Sequence, residues 1–279
     1  MNHHRHDRWL TLLYHILLVI AVCIALFPVL FIVQAALRPG QSLYSTQLVL
    51  WPSDATWDNF IYMFTQEPLL TWLGNSLKVA SLNTLAAVVI STSAAYAYSR
   101  WQFIGRDVSL VLLLAIQAFP TILSLVAIYQ IMQGLHLINT HLSLVLFYTA
   151  IALVFCTWNM KGYFDTIPHD LEEAAMIDGA SATQAFLRVI LPLARPALVV
   201  TAMFAFLGGW NEFVIANVLL TGKEMWTLPV GLFDLQRDYR VPWGYFAAGS
   251  LVNAIPVMLL FLLLQRQLTS GLTMGGVKS

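Results

Sequence analysis

The sequence predicts an all-α integral membrane protein with six transmembrane helices, and three observations carry that prediction. Apolar residue types make up 59% of the 279 residues and charged types only 10%, against about 25% charged in an ordinary soluble domain. Mean hydropathy is +0.73, so lipid must cover much of the surface. Six apolar runs each approach or exceed the roughly 20 residues that cross a hydrocarbon core. They span residues 10–36, 73–98, 108–132, 142–160, 196–220 and 245–264. The whole chain, 1–279, reads as one membrane domain.

The first run, Leu10 to Ala36, is longer than the roughly 7–15 residues of a signal-peptide core and reads as a retained helix. The tract before it, His3-His4-Arg5-His6, has the irregular spacing of a flexible cationic tail rather than a metal site. The second run opens with Asn75, Ser76 and Lys78, and Lys78 is placed to snorkel towards the outer surface. Asn83 and Thr84 lie deeper, where they can line a cavity or bond between helices. Tyr96, Tyr98 and Trp101 at its inner end read as an interfacial belt. Pro28, Pro120 and Pro256 remove a backbone donor from the first, third and sixth runs, producing static kinks or hinges. Cys23 and Cys156 sit within apolar runs and read as small buried hydrophobes, not as a disulfide or metal pair. In the fifth run, Asn211 and Glu212 stand between Trp210 and Phe213. A carboxylate at that depth needs water, a partner group or the bundle interior. It either lies near a translocation path or gate, together with Asn83, or fixes helix packing.

Orientation follows from the basic residues in the connecting segments. With the N-terminus in the cytoplasm, nine basic residues lie inside: Arg5, Arg8, Arg100, Arg106, Lys161, Arg188, Arg195, Arg266 and Lys278. Four lie outside: Arg38, Lys223, Arg237 and Arg240. An even number of spans returns the C-terminus to the cytoplasm. Zero net charge excludes nucleic acid as a partner, because neutralising phosphates needs a basic excess.

Two outer loops, 37–72 and 221–244, and one inner loop, 161–195, are long. The inner loop runs Pro168-His169-Asp170-Leu171-Glu172-Glu173-Ala174-Ala175-Met176-Ile177-Asp178-Gly179-Ala180-Ser181, then through Phe186 and Val189 to Leu191-Pro192. Pro168 and Asp170 make a helix start, and Glu172 and Glu173 sit in the first turn, where the dipole favours them. Gly179 stops that helix. Ser181 caps a second, and Pro192 and Pro196 mark a bend. The first helix pairs small Ala174 and Ala175 with apolar Met176 and Ile177, a shape suited to a groove on another protein. The alternative is a helix lying on the bilayer, but its acids and few bases fit anionic lipid poorly.

Glu173-Ala174-Ala175, then Gly179, then Val189-x-Leu191-Pro192 after nine intervening residues, resembles the EAA signature of binding-protein-dependent ABC importer permeases. Only Val189 departs from it, standing where isoleucine is commoner. Gly208-Gly209-Trp210-Asn211-Glu212-Phe213 and the C-terminal Ser270-Gly271-Leu272-Thr273-Met274-Gly275-Gly276-Val277-Lys278-Ser279 are similar to the carbohydrate-uptake branch, specifically its smaller, MalG-type maltose/maltodextrin permeases.

The resemblance implies a bacterial or archaeal plasma-membrane subunit. It implies a heterodimer with a second permease, two ATPase subunits below and a solute-binding protein outside. ATP and Mg would be held by the ATPase partner, with no cofactor on this chain. The docking residues implied are Asp170, Glu173, Ala174, Ala175, Asp178, Gly179, Leu191 and Pro192. The tail residues implied to reach the ATPases are Gly271, Gly275, Gly276 and Lys278. The outer loop 221–244 would engage the binding protein. The substrate expected from the family is maltose or maltodextrin, with trehalose, glycerol-phosphate or another oligosaccharide as alternatives.

The tail also mimics a phosphate-binding loop, but Val277 intrudes between Gly276 and Lys278 and no helix can follow. A self-contained secondary transporter or channel, the rival class, would show repeated halves or a set of intramembrane charges. Neither is visible. A membrane enzyme would need convergent catalytic groups, which His136 and His141 do not supply.

Overall fold

The computed structural model describes residues 3–41, 52, 54–237 and 241–274, and among these the regular secondary structure is all helical. The long helices are α1 (His3–Leu37), α3 (Leu69–Arg100), α6 (His141–Phe164) and α13 (Trp243–Met274). Between them lie α2 (Asp58–Thr65), α4 (Arg106–Gln117), α5 (Leu125–Gly134), α7 (Asp170–Ile177), α8 (Ala182–Ala185), α9 (Leu191–Leu193), α10 (Arg195–Asn211), α11 (Val214–Leu219) and α12 (Leu228–Asp234). A 3₁₀ turn, Thr121–Ser124, precedes α5, and a π-helical turn, Phe186–Ile190, joins α8 to α9.

Four helices are long and apolar enough to span a membrane: Leu10–Leu37, Leu69–Arg100, His141–Phe164 and Trp243–Gln265. Two bent pairs raise the number to as many as six. The first pair corrects the third expected span, 108–132. It is α4 and the Thr121–Gly134 segment, bent by 90°. Pro120 stands at the corner with extended backbone, φ −64° and ψ 114°, because its ring blocks helix continuation and its nitrogen has no proton to donate. The second pair corrects the fifth, 196–220. The segment Ala182–Leu193 meets Arg195–Asn211 at 78°, and the helix then ends at Asn211 rather than running on to 220.

The chain divides into two compact units, residues 1–69 with 232–254, and 70–231 with 255–279. In the first unit, the buried Asn59 amide donates to the Ala36 and Arg38 carbonyls at 3.0 and 2.9 Å. It accepts from Gln41 at 2.9 Å. Gly244 approaches that amide so closely that a Cβ there would lie 2.7 Å from Asn59 Nδ2. Cys23, expected to be buried, is exposed on α1, one of a run of outward apolar side chains along that helix.

The second unit is built around α6 and α10, which pack along one another. Where α3, α6 and α10 meet, the buried residues are Ala87, Cys156 and Ala205. Small side chains there let backbones approach closely, the usual means of helix association in lipid. One cluster gathers Val79, Met132, Leu144, Tyr148, Ile215, Leu219 and Val230. A second, beside the 161–195 loop, gathers Ala95, Tyr96, Met160, Phe164, Ile167, Ile190, Ala194 and Ala197. Tyr96, read from the sequence as part of an interfacial belt, belongs to this core and is 8% exposed.

Candidate functional site

Three parts of the second unit carry chemistry: the inner loop, the break after α10 and the outer loop. The inner loop folds as its residues dictate. Helix α7 starts at Asp170 with Glu172 and Glu173 in its first turn. It stops at Gly179, whose φ of +93° is costly for any residue with a Cβ. Ala180 N–H donates to Ala175 O at 3.0 Å and Gly179 N–H to Met176 O at 3.1 Å, the paired bonds of a Schellman stop. Ser181 and Gln184 then form a reciprocal capping box on α8. The π-helical turn that follows shares its widened backbone with many functional segments.

Asp170, Glu173, Ala174, Asp178, Gly179 and Pro192 are exposed, while Ala175 and Leu191 are half-buried. Glu172 points the other way. It is buried and forms an ion pair with Arg100 Nε. Tyr96 donates its hydroxyl to Glu172 Oε2 at 2.8 Å. Arg100 also donates to the carbonyls of Phe164 and Ile167 and to the Ser99 hydroxyl, each at 3.1 Å. Sequence reasoning missed this trio. Arg100 had read as an inside charge and Glu172 as a helix-dipole acid. The signal available was a basic residue in the last turn of α3 and one acid too many on α7.

Beside it, Lys161 and Ser99 hold Asp165 at 2.6 and 2.7 Å. Partial burial pushes the Asp165 carboxyl up. The hydrogen bonds from Lys161 and Ser99 and the charges of Lys161 and Arg106 outweigh it and hold the group below the usual carboxylate range.

At the break, Glu212 adopts extended backbone, φ −70° and ψ 130°, and its side chain begins the next helix. Ile215 N–H donates to Oε1 at 2.8 Å and Ala216 N–H to Oε2 at 3.1 Å, satisfying two of the donors that a helix start leaves open. Tyr148 adds its hydroxyl to Oε2 at 2.6 Å. Asn83, 1% exposed, donates to Ala205 O at 2.8 Å and accepts from Thr149 at 3.3 Å. Glu212 and Asn83 both line a largely apolar cleft of about 640 Å³, with Gln117, Phe147, Phe155 and Phe204. Asn211 is exposed and faces elsewhere. Two of the three residues named for a path therefore share one cavity, and both are also fixed by hydrogen bonds between elements.

At the 221–228 segment, side chains from α3, from α6 and from the connector before α6 grip the backbone. Trp72 Nε1 donates to Lys223 O at 3.0 Å, and Asn75 donates to Glu224 O and Trp226 O at 2.9 and 2.8 Å. Ser76 accepts from Leu228 N–H at 2.8 Å, and Asn139 accepts from Thr221 N–H and Gly222 N–H at 3.0 and 2.9 Å. His141 Nε2 lies 2.8 Å from Met225 O. Of the tail residues, Gly271 falls within α13, while Gly275, Gly276 and Lys278 lie outside the described residues.

Residues 87–273 match the family described as the binding-protein-dependent transport system inner membrane component, and this stretch contains the inner loop, the break and the outer loop. The chain belongs to this family. It is a multi-pass protein of the inner membrane and an ABC importer permease. It is 39% identical over 276 residues to the galactooligosaccharides transport system permease protein GanQ of Bacillus subtilis, covering 97% of each chain. It is 37% identical over 283 residues to the maltose/maltodextrin permease protein MalG of Escherichia coli, covering 95% of this chain and 94% of that one. Its fold also matches, with a TM-score of 0.80 at 23% identity, a chain of a bacterial ABC transporter involved in the import of the acidic polysaccharide alginate. That alignment covers 94% of this permease and 97% of the alginate chain.

Proposed function

We propose that this permease is one of two transmembrane subunits of an ATP-driven oligosaccharide importer that works by alternating access. Its six spans place both termini in the cytoplasm, as the basic residues suggest. A solute-binding protein docks outside, against the gripped 221–228 segment. Two ATPase subunits hold ATP and Mg below and carry out the hydrolysis. The observation that carries this reading is α7. It projects Asp170, Glu173, Ala174 and Asp178 outward while its buried side chain is turned inward. That is a helix presented to a partner. A partner can shift the bundle between two states only through differential affinity for them.

The substrate is a neutral oligosaccharide. Maltodextrin follows from the MalG-type tail and the Gly208–Phe213 segment. The 39% identity to GanQ makes galactooligosaccharide the second reading. Binding of each sugar by the purified solute-binding protein separates them.

The test of coupling is Glu173→Lys or Gly179→Asp in the full complex. Each variant should insert normally but fail to retain the ATPase and to transport. Co-purification of the ATPase at the wild-type level, with normal uptake, would overturn the docking role. Uptake that ignores ATP but collapses with the ion gradient would overturn the importer itself.

A further inference from the structure

We propose that Arg100 and Glu172, with Tyr96, form a buried charge latch that makes α7 one mechanical body with the inner ends of α3 and α6. Force from a docked ATPase then enters the spans through this latch. The inference rests on the coupling role given to α7 above and assigns it a route.

The first observation is how α7 is held. Glu172 is the one buried side chain of that helix. Its apolar residues Leu171, Met176 and Ile177 are 42%, 45% and 85% exposed. An amphipathic helix normally attaches by an apolar stripe. This one attaches by a carboxylate.

The second observation is where the carboxylate goes. Both of its oxygens are engaged, one by Arg100 Nε and the other by the Tyr96 hydroxyl at 2.8 Å, and both partners stand on the last turns of α3. The Arg100 and Glu172 side chains are 4% and 10% exposed. Arg100 also donates to Phe164 O, at the end of α6, and to Ile167 O, in the connector before α7. One guanidinium thus ties three elements. Its planar fork fixes their relative angle, which a lysine point charge cannot do.

The third observation separates this from a device for stability. A buried ion pair is a poor source of net stability, because desolvation offsets the attraction, and an apolar pair of similar volume often does as well. What the pair supplies here is geometry. The Tyr96 ring also packs against Phe186 at 4.3 Å, which brings the π-helical turn into the same unit. Arg100, Glu172 and Tyr96 are therefore positioning residues. Their side chains are turned into the bundle, whereas the docking residues Asp170, Glu173, Ala174 and Asp178 are exposed.

The test uses the whole complex in proteoliposomes, with Glu172→Gln and Arg100→Lys. The expected result is that the ATPase still co-purifies, because Asp170, Glu173 and Ala174 are untouched, while sugar moved per ATP hydrolysed falls by about tenfold or more. Spin labels at Leu171 and Gln102, in a background lacking Cys23 and Cys156, read the latch directly. In the otherwise wild-type complex their separation should stay fixed between nucleotide-free and ATP-bound states, and in Glu172→Gln it should broaden.

Should Glu172→Gln not fold, Arg100→Met with Glu172→Leu is read in the same assays. It should restore assembly but not coupling, a split that a merely structural role would not give. Wild-type coupling in these variants, or a wild-type label separation that changes by several ångströms on ATP binding, would overturn the latch. Absence of the ATPase from the wild-type complex would instead overturn the docking role of α7.

Discussion

Replacing Glu212 tests whether a single carboxylate holds the break between α10 and α11. Its two oxygens accept from Ile215 N–H, Ala216 N–H and the Tyr148 hydroxyl, and alanine removes all three bonds. Loss of a side-chain cap at a helix start costs about 0.5–2 kcal/mol. Stranding a hydroxyl on Tyr148, a residue only 5% exposed, costs about 1–3 kcal/mol. The groups share one acceptor, so the losses do not simply add, and the expected destabilisation is about 2–4 kcal/mol.

Glutamine keeps one acceptor oxygen and turns an amide nitrogen towards the other donors, so it should lose roughly half as much. Tyr148→Phe removes a donor but leaves the carboxylate capped by two backbone groups, for about 1 kcal/mol. The assay is thermal unfolding of the purified permease complex at fixed lipid and nucleotide, because bound partners shift apparent stability. Basal ATP hydrolysis is read alongside. The order of loss should be alanine, glutamine, then the Tyr148 variant, and the Glu212→Ala, Tyr148→Phe pair should be less than additive. If Glu212→Ala unfolds with the wild type, or the pair adds fully, the carboxylate does not organise the break.

Three further outcomes are expected. Gly231→Ala should destabilise by about 1–3 kcal/mol net of its helix-propensity gain. The new Cβ would stand 2.2 Å from the Trp72 ring, which is fully buried and tied to Lys223 O. Gly74→Ala, with nothing within 4 Å, is the matched control and should be neutral or better in the same unfolding assay. Asn83→Ala should cost about 1–3 kcal/mol, because the Ala205 carbonyl and the Thr149 hydroxyl lose their shared amide. A midpoint unchanged from wild type would remove that bridge from the account. Asp165 has a depressed folded-state pKa. Its contribution is therefore present above the unfolded value of about 3.9 and is lost only as pH falls through the folded value. Coupled ATP hydrolysis should keep this anchor from pH 8 down to pH 5, and Asp165→Asn should reproduce at pH 7 the loss that acid produces. A Lys161–Asp165 contribution that fades between pH 6 and 5 would contradict the sign.

The sequence by itself determined the class of molecule, because burial in lipid is a matter of composition and run length. The apolar runs located every long helix. The capping and stop signals of Asp170, Gly179 and Ser181 were equally legible, since they act within a few residues of chain. The family followed from the spacing of Glu173, Gly179 and Pro192.

What only the tertiary structure decided is where helices break and whom polar residues meet. Pro120 announced a fault, but not a 90° turn, whose size depends on what packs on either side. Glu212 announced a cost, but its donors include Tyr148, 64 residues away along the chain. Arg100 and Glu172 are 72 residues apart and read locally as two ordinary charges. A hydrogen bond between distant side chains leaves no periodicity in the chain, so the latch became visible only when α3, α6 and α7 were brought together in space.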